Sequence, residues 1–169
     1  MSRAVIVAGT QSFNDYEMVE KTLLQYFKEH YLDLFDIEIL SGDMPGANKL
    51  GEIFAEKHGL ALSKFSKEEY APNENADWLR NEKMAEYAAS RQGVVFAFWD
   101  GHSEGTKSML TLAKKHNLEV HTLFFEGKAV SSKMALDVNG VFGLSAKQGG
   151  GVVDTLDDLY DLDPSIRSF

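Results

Sequence analysis

Short apolar runs alternate with amphipathic helical patterns through the first three quarters of the chain, and this alternation limits the fold more than any other feature of the sequence. "RAVIVAG" (3–9) reads as a fully buried strand, and "NDYEMVEKTLLQYFKEHY" (14–31) carries Met18, Leu23, Leu24 and Phe27 on one helical stripe. Asn14 followed three residues later by Glu17 predicts a capping box at the start of that helix. "FDIEIL" (35–40) is the next strand, and "ANKLGEIFAEKHG" (47–59) is a helix that Gly59 closes from the C′ position. "LALSKF" (60–65) is a weaker, more exposed strand, and the long polar loop "SKEEYAPNENAD" leads from it into a helix over 78–90. "GVVFAF" (93–98), a helix over 105–117 and "LEVHTLFF" (118–125) complete the series. Strands separated by helices at this spacing predict right-handed crossovers and a parallel sheet covered on both faces. The expected fold is therefore α/β and Rossmann-like, with about five parallel strands over residues 1–125.

Residues 126–169 break the rhythm and form a C-terminal extension. Asn139-Gly140 between two short apolar pieces is a hairpin signal, "KQGGGVV" is a hinge, and "DTLDDLYDLD" sets Leu156, Leu159 and Leu162 on an acidic turn of helix. The segment is either a weakly ordered tail or an arm that packs on a second subunit of a homodimer or higher homo-oligomer. No run approaches the length of a membrane span, and the short apolar stretch at the N-terminus lacks a cleavage site, so a cytoplasmic protein is expected. The absence of cysteine removes disulfides, thiol nucleophiles and cysteine metal sites; neither a metal nor a resident cofactor is expected. A formal charge of −9 argues against a broad interface with duplex nucleic acid, which draws its affinity from many lysine and arginine contacts to phosphate. It does not bar a small anion, which a few backbone N–H groups at a helix N-terminus suffice to hold.

In open parallel sheets, ligands bind beyond the carboxyl ends of the strands, where the strand order reverses. Three loops rich in glycine and hydroxyl residues lie at those ends: "AGTQSF" (8–13), "SGDMPGAN" (41–48) and "WDGHSEGT" (99–106). They bring Gly9, Thr10, Gln11, Ser12, Ser41, Gly42, Gly46 and Asn48 to the same edge as Gly101, Ser103, Gly105 and Thr106. Glycine admits close approach of the backbone, the hydroxyls add donors, and the helix that begins near Gly105 aims its dipole at an anion. Together they describe a phosphate cradle. Neither G-x-G-x-x-G nor G-x-x-x-x-G-K-[ST] is present, which disfavours a routine NAD site and excludes a P-loop.

"AVIVAGTQSFNDYEMVEKTL", "EILSGDMPGANKLGEIFAEKHGL", "RNEKMAEYA" and "FAFWDGHSEGTKSMLTLAKKHNLEV" together resemble the small bacterial and phage proteins of the YspA/YpsA-related SLOG family. That superfamily also holds the Lonely Guy phosphoribohydrolases and the DNA-processing protein DprA. The resemblance implies a Rossmann-like fold that binds a nucleotide or nucleotide-derived ligand, with N-glycosidic hydrolysis in some members. Carried over by position, it implies that Gly101, Ser103, Gly105 and Thr106 form the phosphate loop and that Arg80 and Asn81 are the "RN" pair of the third helix. Three positions depart from the pattern: Gln11 stands where an arginine is usual, Asn48 where an aspartate is usual, and Met109 where the hydrolases keep a glutamate.

Hydrolysis of a nucleoside monophosphate needs a carboxylate near the ribosyl carbon and a cation for the phosphate. Asp100 and Arg80 are the catalytic candidates, with Asp43 and Glu104 behind them. Asp100 is equally a turn aspartate that bonds its own backbone, while for Arg80 the site role is favoured over that of a solvated partner of Glu82 or Glu86. Trp99 at the strand tip either stacks on a base or closes the edge of the core, and Trp78 carries the same ambiguity. A thioether at Met109 neither stabilises an oxocarbenium ion nor activates water, so a binding module for a nucleotide-like ligand is favoured over the hydrolase.

Overall fold

The computed structural model describes residues 2–125; the hairpin, hinge and acidic helix expected farther along lie outside them. Five strands, β1 (Arg3–Gly9), β2 (Ile37–Ser41), β3 (Ala61–Lys64), β4 (Val94–Trp99) and β5 (Glu119–Phe124), form one parallel sheet in the order β3-β2-β1-β4-β5. The order reverses between β1 and β4, which pair from Val5↔Val94 to Gly9↔Phe98. Four helices connect the strands: α1 (Tyr16–Glu29), α2 (Ala47–His58), α3 (Ala76–Ala89) and α4 (Glu104–Lys115).

The two-residue period of the strands divides the core. Val5 and Val7 of β1, Ile39 of β2 and Phe96 and Phe98 of β4 pack beneath α1 and α2, together with Met18, Leu23, Phe27 and Phe54. Ala4, Ile6 and Ala8 of β1 and Val95, Ala97 and Trp99 of β4 pack beneath α3 and α4, together with Met84, Ala85, Leu110 and Ala113. The predicted α/β class, with helices on both faces of five parallel strands, is the observed fold.

Local differences from expectation have simple causes. The strand expected from residue 35 begins at Ile37, because Asp33 accepts a hydrogen bond from the Phe35 N–H and winds Leu34–Asp36 into a 3-10 turn. The third helix starts at Ala76, two residues early, and the polar loop before it holds a 3-10 turn at Lys67–Tyr70. Asn14 does not cap α1. Asp15 does, its carboxylate accepting from the Met18 N–H at 3.0 Å. Asp15→Ala is expected to lower stability by about 1 kcal/mol in a urea titration, and Asn14→Ala to change it little.

At the amino end of the sheet, Glu119 accepts from the Tyr26 hydroxyl and pairs with Arg3 at 3.0 Å and His121 at 3.5 Å. Hydrogen bonding with His121 is the largest influence on its carboxyl, followed by the opposing effect of burial and by the Tyr26 bond; the net result is a fall to about 2. The folded-state value lies below the unfolded one, so this group stabilises the fold above about pH 4.5 and the contribution fades as the pH falls towards 2. Glu119→Gln is accordingly expected to be less stable than the parent at pH 7, with the gap narrowing as denaturation is repeated at pH 4 and pH 3.

Candidate functional site

A cavity of about 490 Å³ opens at the carboxyl edge, beside the reversal point. Gly9 and Gln11 from the first loop and Gly42, Met44 and Asn48 from the second form one side. The starts of α3 and α4 form the other, with Asp77, Trp78, Arg80 and Asn81 facing Ser103, Glu104, Gly105 and Thr106. Two helix N-termini therefore open on one space, both directing the positive ends of their dipoles at it.

The two glycine-bearing helix starts at this edge differ. At α2, the Ala47 N–H donates to the Thr10 carbonyl, and a Cβ on Gly46 would fall 2.3 Å from that same oxygen, so the first loop closes this helix end. Gly9 is likewise spoken for, since a Cβ there would lie 2.2 Å from the Phe98 carbonyl oxygen. The start of α4 is open. The first intrahelical bond runs from the Lys107 N–H to the Ser103 carbonyl, and the N–H groups of Glu104, Gly105 and Thr106 find no acceptor among the described residues. A Cβ on Gly105 would meet nothing within 4 Å. Packing of the described residues thus gives no reason for a glycine in the first turn of α4, where it weakens the helix relative to alanine.

Arg80 forms the floor. It is 4% exposed, and it donates from Nη1 to the Gly42 carbonyl at 2.6 Å, from Nε to Asn81 Oδ1 at 2.8 Å and from Nη2 to Asp77 Oδ1 at 3.0 Å. Burial pulls its pKa below the usual guanidinium value, while Asp77 pulls the other way. A guanidinium has five N–H donors; three are used here and two remain for a ligand. The alternative of a solvated arginine paired with Glu82 or Glu86 does not hold, because Glu82 pairs with Lys115 and His116 and Glu86 with Lys83. Asn81 extends the contacts to α4, its amide lying 3.4 Å from the Gly105 carbonyl and from Ser108 Oγ. Asn48 donates to the Val7 carbonyl at 2.8 Å and so ties the second loop to β1.

Several residues expected at the site hold the edge together without lining the cavity. Ser41 Oγ donates to Glu52 at 2.6 Å and is fully buried. Thr10 Oγ1 accepts from the Asp100 N–H, joining the first loop to the third, and Ser12 is exposed outside the cavity. Asp100 makes the turn: its Oδ1 accepts from the N–H groups of His102 at 2.8 Å and Ser103 at 2.9 Å, while Gly101 follows with a φ of 84°. Trp99 closes the core edge. It is 1% exposed, its Nε1 donates to the Ser103 carbonyl, and its ring packs 5.7 Å from that of Phe124, which leaves no face for a base. Trp78, in contrast, is 43% exposed and lines the cavity. Lys67, Glu74 and Asn75, in or beside the polar loop, and Asp77, Met84 and Ser108 on the helices complete the wall and were not singled out by the sequence. Met109, standing where a hydrolase keeps its glutamate, is buried in the cavity wall beside Met84.

The fold and this edge define a Rossmann-like α/β domain with a cavity at its switch point, floored by Arg80 and bordered by the first turn of α4. Residues 3–73, which hold β1 through β3 and the first two glycine loops, match the model of the YspA, cpYpsA-related SLOG family. The matched segment ends before Arg80 and before the start of α4, so the cavity's cationic floor and open helix end lie beyond it. Comparison with curated proteins and with solved structures returns no match.

Proposed function

We propose that the cavity binds a nucleotide or nucleotide-derived ligand and holds it without cleaving it, with the phosphate seated on the first turn of α4. The observation that carries this proposal is the set of three N–H groups at Glu104, Gly105 and Thr106 that find no acceptor among the described residues and open on a cavity floored by the buried Arg80. Helix amides and dipole supply an anion site, and Arg80 supplies a fixed charge with two donors to spare. The family that residues 3–73 match is one of nucleotide-related proteins, and that supports the ligand class.

Binding is favoured over hydrolysis by the chemistry of the wall. A carboxylate is required close to the ribosyl carbon, yet Asp100 is committed to the turn and does not line the cavity. Of the carboxylates that do, Asp77 is paired with Arg80, Glu104 is exposed beside Lys107, and Glu74 lies on the exposed rim. Incubation with a panel of nucleoside monophosphates should return each one intact by chromatography. Release of free base that Asp100→Ala abolishes would overturn the binding reading in favour of a hydrolase.

A further inference from the structure

Among the described residues, Trp78 is the large apolar side chain that is both exposed and part of the cavity wall. Its place follows from the helix. Trp78, Asn81, Ala85 and Ala88 follow one another at helical spacing on α3, and the last two bury against the sheet. Trp78 stands at the beginning of that stripe, where the wall is the cavity and not the core. Among the described residues, no other aromatic ring packs on it. Lys115 reaches the ring with Nζ 5.7 Å from its centroid, and Glu82 fixes that lysine at 2.8 Å.

The polar contacts of the cavity run in order from the open end of α4 to this ring. Gly105 is joined to Asn81, Asn81 to Arg80, and Arg80 to Asp77, the residue beside Trp78. The proposed phosphate site stands at one end of this sequence of contacts and an exposed indole at the other.

We infer that Trp78 is the stacking platform for the base of the ligand, so that the cavity selects a nucleotide over its bare sugar phosphate. The inference rests on the nucleotide reading above. Stacking of a base on an aromatic side chain is tolerant of base identity, and removal of the ring costs about 10-fold or more in affinity.

Calorimetric titration of the four nucleoside monophosphates and of ribose 5-phosphate into the parent, Trp78→Ala and Trp78→Phe tests it. The parent should bind at least one monophosphate about 10-fold or more tightly than ribose 5-phosphate. Trp78→Ala should erase that preference while leaving ribose 5-phosphate binding unchanged, and Trp78→Phe should restore most of it. The chain has two tryptophans and Trp99 is buried, so the monophosphate should also quench parent emission through Trp78, and ribose 5-phosphate should not. Monophosphate affinity unchanged in Trp78→Ala, or weakened equally with that for ribose 5-phosphate, would overturn the platform and leave the nucleotide reading standing. Failure of every monophosphate to bind the parent would overturn both.

Discussion

Replacing Arg80 with methionine will lower stability by about 2–3 kcal/mol and abolish anion binding at the cavity. The side chain is 4% exposed and supplies donors to the Gly42 carbonyl, Asn81 Oδ1 and Asp77. Methionine fills much of the volume but leaves the Gly42 carbonyl and the Asn81 oxygen without their partner, and a buried acceptor stripped of its donor loses a bond it cannot recover from water. Asp77 is more than half exposed and resolvates, which keeps the loss below that of a fully buried ion pair. For a domain of this size the change corresponds to a fall in Tm of roughly 10 °C. Arg80→Lys separates the two roles. An ammonium keeps the charge but not the fork that meets three acceptors on different sides, so part of the stability returns while ligand affinity stays about 10- to 100-fold below the parent. Thermal melts and calorimetry on the two variants check both statements.

Gly105→Ala and Gly105→Asp move stability and binding apart. A Cβ at position 105 meets open space, and alanine is the better helix former, so Gly105→Ala should raise stability by about 0.5–1 kcal/mol. Aspartate in the first turn of a helix also complements the dipole, and Gly105→Asp should fold at least as well as a neutral polar substitution there. Each is nonetheless expected to weaken ligand binding, modestly for the methyl group and by about 100-fold or more for the carboxylate, which brings a like charge to the proposed phosphate position. A position where the best residue for the helix is the wrong one for the ligand is the pattern that function leaves on a stable scaffold.

The strands were readable from the sequence because strands buried on both faces are nearly continuous apolar runs, and β1 and β4 are of that kind. Element ends were less so. Asn14 and Asp15 both suit a helix cap, and only the backbone path decides that Asp15 faces the Met18 N–H. The site divides in the same way. Glycines mark tight loops whatever their purpose, so residues 9 and 46, demanded by close backbone contact, look the same in sequence as residue 105, which no contact demands. The two tryptophans show where a signal was present but incomplete. Trp99 follows Val95 and Ala97 at the strand period and shares their buried face, a placement the pleat alone predicts once the strand is known to reach residue 99. Trp78 depends on a helix that starts at Ala76 and on where the sheet beneath it ends, and the second is a tertiary fact. Lys67, Glu74 and Asn75 reach the cavity from in or beside a polar loop with no periodicity to assign them.

The open first turn of α4 is proposed to hold the phosphate of a nucleotide. Calorimetric titration of nucleoside monophosphates into the parent and into Gly105→Asp tests it most directly. Saturable one-to-one binding by the parent, reduced about 100-fold or more in a Gly105→Asp variant that melts no lower than the parent, is the predicted result. Equal affinity in the two proteins would place the phosphate elsewhere and contradict the account.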